Sequence, residues 1–230
     1  MASSTYLSRT PSSTTNQKTF TISVWIKKSS PVTNEWIIRA TNSSGDAGGL
    51  YFNPTGNLFC NFEISGSNIV NLKTNRLFRD TNAWYHIILA CDTTQGTASD
   101  RVKIYINGVQ ETSFGTTLYP DQNDDLVINR NVPHFIGTDS TGGANIEAVM
   151  SHFNFCDGLA LAPTVFGSTD STTGEWKINT SPSFTLGTNG FTILKDGNTI
   201  TDQSSNSNNW SLSAGTLTKT EDCPSNVFAT

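Results

Sequence analysis

Apolar residues recur at every second position along much of this chain. In FTISVWIKK, Phe20, Ile22, Val24 and Ile26 alternate with Thr21, Ser23 and Trp25, and in LFCNFEI the set Leu58, Cys60, Phe62 and Ile64 does the same. A period of two sends successive side chains to opposite faces of a strand, so each run predicts a strand with one buried face. EWIIRA, GGLYF, NIVNLK, WYHIILACD, PHFIG and EAVMSHFNF read the same way, with turn-forming residues between them. Asp100 to Phe114 adds a hairpin. Val102, Ile104 and Ile106 alternate there with Lys103 and Tyr105, and Asn107-Gly108 supplies two residues that accept positive φ, as a tight turn requires. Many short strands without a long amphipathic helix predict an all-β fold, two antiparallel sheets packed as a sandwich. One helical pattern stands out, ALAPTVFG from Ala160 to Gly167, where Pro163 suits a first turn and Gly167 the position past its end. It predicts one short helical turn capping the sandwich.

The pattern divides the chain into residues 1–167, which hold the sandwich, and residues 168–230, a polar crossover followed by an extended C-terminal segment. The crossover runs through GSTDSTTGEWKINTSPS. Beyond it, FTILK precedes an Asp196-Gly197 turn, and a second strand-like run extends from Trp210 to Leu217. A β segment of roughly 40 residues buries too little surface to stand alone. It is therefore expected to dock on the sandwich or on a neighbouring subunit, and a symmetric homo-oligomer is expected with it. Trp176 lies in the crossover without periodic partners and is expected to pin it to the body or to a neighbour. Trp25, Trp36, Trp84 and Trp210 read instead as core or sheet-packing residues.

Composition narrows the function. Of 230 residues 35% are hydrophobic and 14% charged, with a net charge of -5 and a pI near 5.1, which gives no basic face for nucleic acid. Lys27-Lys28 is the one adjacent basic pair and reads as a solvated strand end. The N-terminus has no signal-peptide pattern and no stretch suits a bilayer, so the reading is a soluble protein made in a cytoplasm, without membrane insertion. The four cysteines, Cys60, Cys91, Cys156 and Cys223, are widely spaced without a C-x-x-C pair and argue against zinc, redox or disulfide roles. Sequons at Asn42, Asn179 and Asn209 arise by chance in a chain so rich in Asn, Ser and Thr.

No catalytic set emerges. G-x-S-x-G and H-E-x-x-H are absent, and His86, His134 and His152 are scattered. A glycosidase needs two carboxylates flanking one bond; Glu147 stands alone on its strand, Asp124-Asp125 would point apart, and Glu221-Asp222 lie in the tail. No catalytic residue is assigned and no enzyme is expected. For sugar binding, TTLYPDQNDD offers Tyr119 to stack on a ring with Asp121 and Asn123 to bond hydroxyls, although a turn built around Pro120 accounts for the same residues without a ligand.

The order SVWIKKS, WYHIILACD, DRVKIYINGVQ, HFIGTD, EAVMSHFNFCDGLAL resembles the laminin-G and pentraxin-like branch of the concanavalin A-type jelly rolls. The pairing of a W-Y-H strand with one ending in I-N-G-V is its most specific part. YLSRTPSS, CDGLALAPTVFG, STTGEWK, GTNGF and EDCPSNVFAT further resemble proteins encoded by phages and viruses of aquatic microbes. The resemblance implies a non-enzymatic virion structural protein on the virion surface, decorating a capsid or part of a tail or fibre appendage, with other virion proteins as partners. The alternative it implies is a carbohydrate-binding module for host surface glycans. A third, a glycan-cleaving enzyme, would need the glucanase pattern E-x-D-x-E, which is absent. Relatives bind calcium at the rim, and Asp92, Asp100, Asp121, Asp139 and Asp157 sit near predicted strand ends. Acids there commonly bond turn backbones, none forms a dense cluster, and no metal or cofactor is assigned. Two departures stand out. Lys177-Ile178 replaces Lys-Pro, and the run Asp202 to Trp210 carries serines at glycine positions of a D-S-S-G-N-G-N loop, which argues against positive φ there.

Overall fold

The structure, a computed structural model, describes residues 4–29, 33–195 and 197–225. The first strands are β1 (Tyr6–Arg9), β2 (Thr19–Lys28), β3 (Glu35–Thr41), β4 (Ala47–Phe52), β5 (Asn57–Ile64), β6 (Ser67–Leu77) and β7 (Tyr85–Asp92). A one-turn helix α1 (Ala98–Arg101) leads into β8 (Val102–Ile106), β9 (Val109–Gln110), β10 (Phe114–Leu118), β11 (His134–Ile136) and β12 (Ala148–Asp157). After a 3-10 turn at Pro163–Val165 come β13 (Gly167–Thr169), β14 (Trp176–Ile178), β15 (Phe191–Ile193) and β16 (Ser211–Ala214).

Eight strands form one sheet in the order β10-β6-β5-β4-β3-β11-β1-β16, six form a second in the order β15-β12-β2-β7-β8-β9, and β13 and β14 make a separate ribbon. Every pairing is antiparallel. The all-β, two-sheet sandwich expected from the alternation is what forms. Its core comes from the predicted inward sets: Phe20, Ile22, Val24 and Ile26 of β2 and Ile87, Leu89 and Cys91 of β7 face Leu50, Phe52, Leu58, Cys60 and Phe62 of the larger sheet. Each such side chain stabilises the fold by about 1.5–3 kcal/mol relative to exposure. Cys60, Cys91 and Cys156 are buried free thiols. The helical turn falls inside ALAPTVFG, with Pro163 at its first position; α1, in the polar excursion after β7, was not legible from periodicity.

The C-terminal segment contributes to both sheets of its own chain. β15 pairs with β12, setting Phe191 opposite Phe155 and Ile193 opposite Phe153, and β16 pairs with β1. Trp210, just ahead of β16, is 4% exposed and meets Phe191 edge-on at 5.2 Å. Of the Asp196-Gly197 turn, Asp196 lies outside the described residues, as do the last five residues of the EDCPSNVFAT motif.

Two local expectations are corrected. Lys28 is not solvated but 2% exposed: its stem is buried and its ammonium lies 4.9 Å from the centre of the Phe52 ring and donates to the Ser29 carbonyl at 3.0 Å. Ser207 does take positive φ, at 58°. The surrounding loop enforces it, because Asp202 accepts hydrogen bonds from the Ser204 and Asn208 amides while Asn206 and Asn208 donate to the carbonyl of Gly190.

Candidate functional site

Tyr119, Asp121 and Asn123 lie together in one rim loop. The Tyr119 ring packs against the core, and burial pushes its phenol up. Asp121 and Asn123 are exposed, but their backbone is committed: the Asp121 amide donates to Asp124 and the Asn123 amide to the Thr93 carbonyl, each at 2.8 Å. Arg101 braces the loop through the Pro120 carbonyl at 2.7 Å. The loop is a self-satisfied turn, and none of the three residues lines either cavity described below.

A buried pair that periodicity did not reveal is Ser23 and His86, 2.9 Å apart through Oγ and Nε2. The Trp176 indole N–H donates to His86 Nδ1 at 2.9 Å. An indole can only donate, so Nδ1 accepts, and the ring proton sits on Nε2 and points at the serine. Burial, then the neighbouring His152, push the imidazole down to about 3. A neutral histidine already donating to the serine cannot remove its proton, so the pair is not a nucleophilic dyad. Its role is structural: the ring is stacked on Trp25 at 4.7 Å and Trp176 at 6.1 Å, which ties the crossover to the smaller sheet.

Across the outer face of the larger sheet, Trp36, Tyr51 and Phe59 fall opposite one another on β3, β4 and β5. Ring centroids are 4.6 and 4.8 Å apart, with Arg39 over Trp36 at one end and Lys73 over Phe59 at the other. Tyr51 stacks on Phe59 and Trp36 is tilted at 40° against Tyr51, so the rings pack on one another along the row. The row stiffens the sheet.

A groove of about 740 Å³ lies between the ends of β2 and β12 and the C-terminal segment. Val149, Met150, Leu194 and Leu217 give it apolar surface, while Ser29, Thr81, Ser151, Asn198, Thr216, Thr218 and Thr220 supply hydroxyls and an amide. Asp222 clamps the segment across it, accepting from Lys27 at 2.7 Å and from the Trp84 indole at 2.8 Å, and both contacts hold its carboxyl below the usual range. A second cavity of about 260 Å³ lies beside β12 and β15, lined by His152, Asn154, Thr192, Gln203, Ser204 and Phe184 among others. The two share Lys195. At that boundary β12 is bulged and His152 has φ 48°, an uncommon conformation for a residue with a side chain.

Among the described residues the carboxylates lining the groove are Glu147 and Asp222, and Asp222 is bound by Lys27 and Trp84. Glu35 is raised to about 7 by burial, against the pull of Lys28 and with help from Glu147, yet it does not line the groove. Among the described residues no three His, Cys, Asp or Glu side chains converge as metal ligands. Asp92 and Asp139 bond turn residues instead, Asp139 accepting from the amides of Thr141 and Gly143.

A laminin G-type family model of the Concanavalin A-like lectin/glucanases superfamily matches residues 2–165. No curated protein sequence matches the chain. Among solved structures, it is similar to the heptameric SAP-like pentraxin of Limulus polyphemus, with 16% identity and a TM-score of 0.47 over 70% of this chain and 80% of that one. It is also similar to domains LG4-5 of mouse laminin alpha1, with 11% identity and a TM-score of 0.49 over 83% of this chain and 44% of that one. A third is Domain 4 of the arabinanase AbnA from Geobacillus stearothermophilus, in complex with arabinotriose, with 17% identity and a TM-score of 0.47 over 65% of each chain. At such identities the likeness is one of fold and bears on no residue of the groove.

Proposed function

The chain belongs to the Concanavalin A-like lectin/glucanases superfamily, and from that premise we propose that it is a non-catalytic glycan-binding module whose ligand lies in the groove closed by the C-terminal segment. The observation that carries this reading is the groove itself: about 740 Å³, with apolar patches for sugar C–H faces beside a wall of threonine and serine hydroxyls. That volume falls within the range of ligand sites. The setting we propose is the surface of a virus particle, on a capsid or an appendage, where weak contacts by many copies add up; its support is the resemblance of the sequence motifs to virion proteins.

The test is a glycan array with the purified protein, followed by titration of any hit against two variants. Thr218→Trp, an exposed groove residue, fills the space and should abolish binding without lowering the melting temperature. Tyr119→Ala, in the rim loop, should leave affinity within about twofold, as a residue outside the contact does. No reducing ends should accumulate from a bound glycan. Loss of binding in Tyr119→Ala alone would move the site to the rim loop, and an array without hits would remove the glycan reading.

A further inference from the structure

Segments distant in sequence meet around a cavity of about 10 Å³ that shares no lining residue with the groove or the second cavity. Asn129 comes from the loop ahead of β11, His134 from β11 itself, and Trp210 from the C-terminal segment. Ile38, Ile128, Phe155 and Phe191 make much of the wall apolar, so each polar group there needs a partner. Two find none within the protein. Trp210 is buried, its indole can only donate, and Nε1 has no hydrogen-bond partner. Asn129 is also buried, and its amide nitrogen donates to the Asn16 carbonyl at 2.7 Å and to Asp157 Oδ1 at 2.9 Å. A carbonyl and a carboxylate only accept, so the amide cannot be turned over, and Oδ1 is left as an acceptor without a partner. The third group is His134. Its Nδ1 lies 2.7 Å from the Val132 carbonyl, which places the ring proton on Nδ1. Burial pushes the imidazole down to about 4, against the Val132 bond and with help from Arg9, so at neutral pH Nε2 keeps its lone pair.

We infer that this cavity is the site of one ordered water, which accepts from Trp210 Nε1 and donates to Asn129 Oδ1 and His134 Nε2. One donor and two acceptors are the set that a single water satisfies, and the volume suits one molecule and nothing larger. Trp210 and Asn129 do not pair with each other directly, since neither atom has a partner. The water therefore ties the C-terminal segment to the loop ahead of β11, adding a polar fastening to the strand pairing of β15 and β16. The inference is independent of the glycan reading.

A crystal structure of the full chain tests it directly, because an internal water with three partners is well ordered. A water peak should lie about 2.7–3.2 Å from Trp210 Nε1, Asn129 Oδ1 and His134 Nε2. Clear density for those side chains with no water between them, or a hydrogen bond from Nε1 straight to a protein atom, would overturn the inference. In solution the Trp210 indole N–H, assigned by its loss in Trp210→Phe, should show a nuclear Overhauser contact to water with the sign of a long-resident molecule; no such contact would overturn it equally. Trp210→Phe keeps a ring against Phe191 and removes the donor. Its crystal structure should show the water lost or displaced, and the same water at full occupancy on Asn129 and His134 would mean that the indole does not hold it and that the tail is not fastened this way.

Discussion

Gly108 meets two demands at once. It holds φ at 78° in the β8–β9 turn, next to Asn107 at 49°, and a Cβ placed on it would lie 2.4 Å from the Trp176 ring. The first demand is readable in the Asn-Gly pair; the second comes from a tryptophan distant in sequence. Gly108→Ala should therefore cost about 1–2 kcal/mol for the left-handed backbone and about 1–3 kcal/mol more for overpacking against the indole. In a Trp176→Ala background only the first cost should remain. Urea denaturation of the four proteins of this cycle gives the coupling, and strictly additive costs would mean that the ring does not rest on the turn. Ser207 teaches the complementary lesson. Its residue type argues against positive φ, yet carboxylate and amide bonds within the Asp202–Asn208 loop impose it, and such bonds cannot be counted until the loop is closed.

Among the elements, those with three or more alternating apolar residues were legible to within a residue or two, as β2, β5, β7 and β8 show. β1 and β10 were not, because YLSR and FGTTL carry too few apolar side chains to mark a face. FTILK and the run after Trp210 were recognisable as strand-like, but the two edges they would extend were not, since pairing depends on which edge of the sandwich is left free. β15 covers the β12 edge and β16 the β1 edge. Ending the chain after residue 167 would uncover Phe153 and Phe155 on one sheet and open the edge of the other. The truncated protein should lose several kcal/mol, a large part of a typical domain's stability, and aggregate through its bare edges. Light scattering and thermal melting decide; a truncated monomer as stable as the full chain would show that these strands add nothing to the sandwich.

For the molecule as a whole, three buried groups shape stability against pH. Glu35 is raised to about 7 from 4.5, so its contribution is full below pH 4.5 and lost as pH rises through 7. His86 and His134 are lowered by burial to about 3 and about 4 from 6.5, so theirs is full above pH 6.5 and lost as pH falls toward those values. Glu35→Gln removes the alkaline loss: its melting temperature should match the parent near pH 5 and exceed it above pH 7. Equal curves across that range would mean that the carboxyl titrates normally, despite its place between Lys28 and Glu147. The sequence by itself determined the fold class, the inward face of each long strand, the β8–β9 turn and the absence of catalytic motifs, because strand alternation and turn chemistry are properties of neighbours along the chain. Only the tertiary structure decided that Trp176 stacks on His86, that Asp222 clamps the tail to Lys27 and Trp84, and that Lys195 stands between two cavities. Those residues come from segments far apart in sequence, and they meet only once strand pairing at the sheet edges has brought the C-terminal segment back across the smaller sheet.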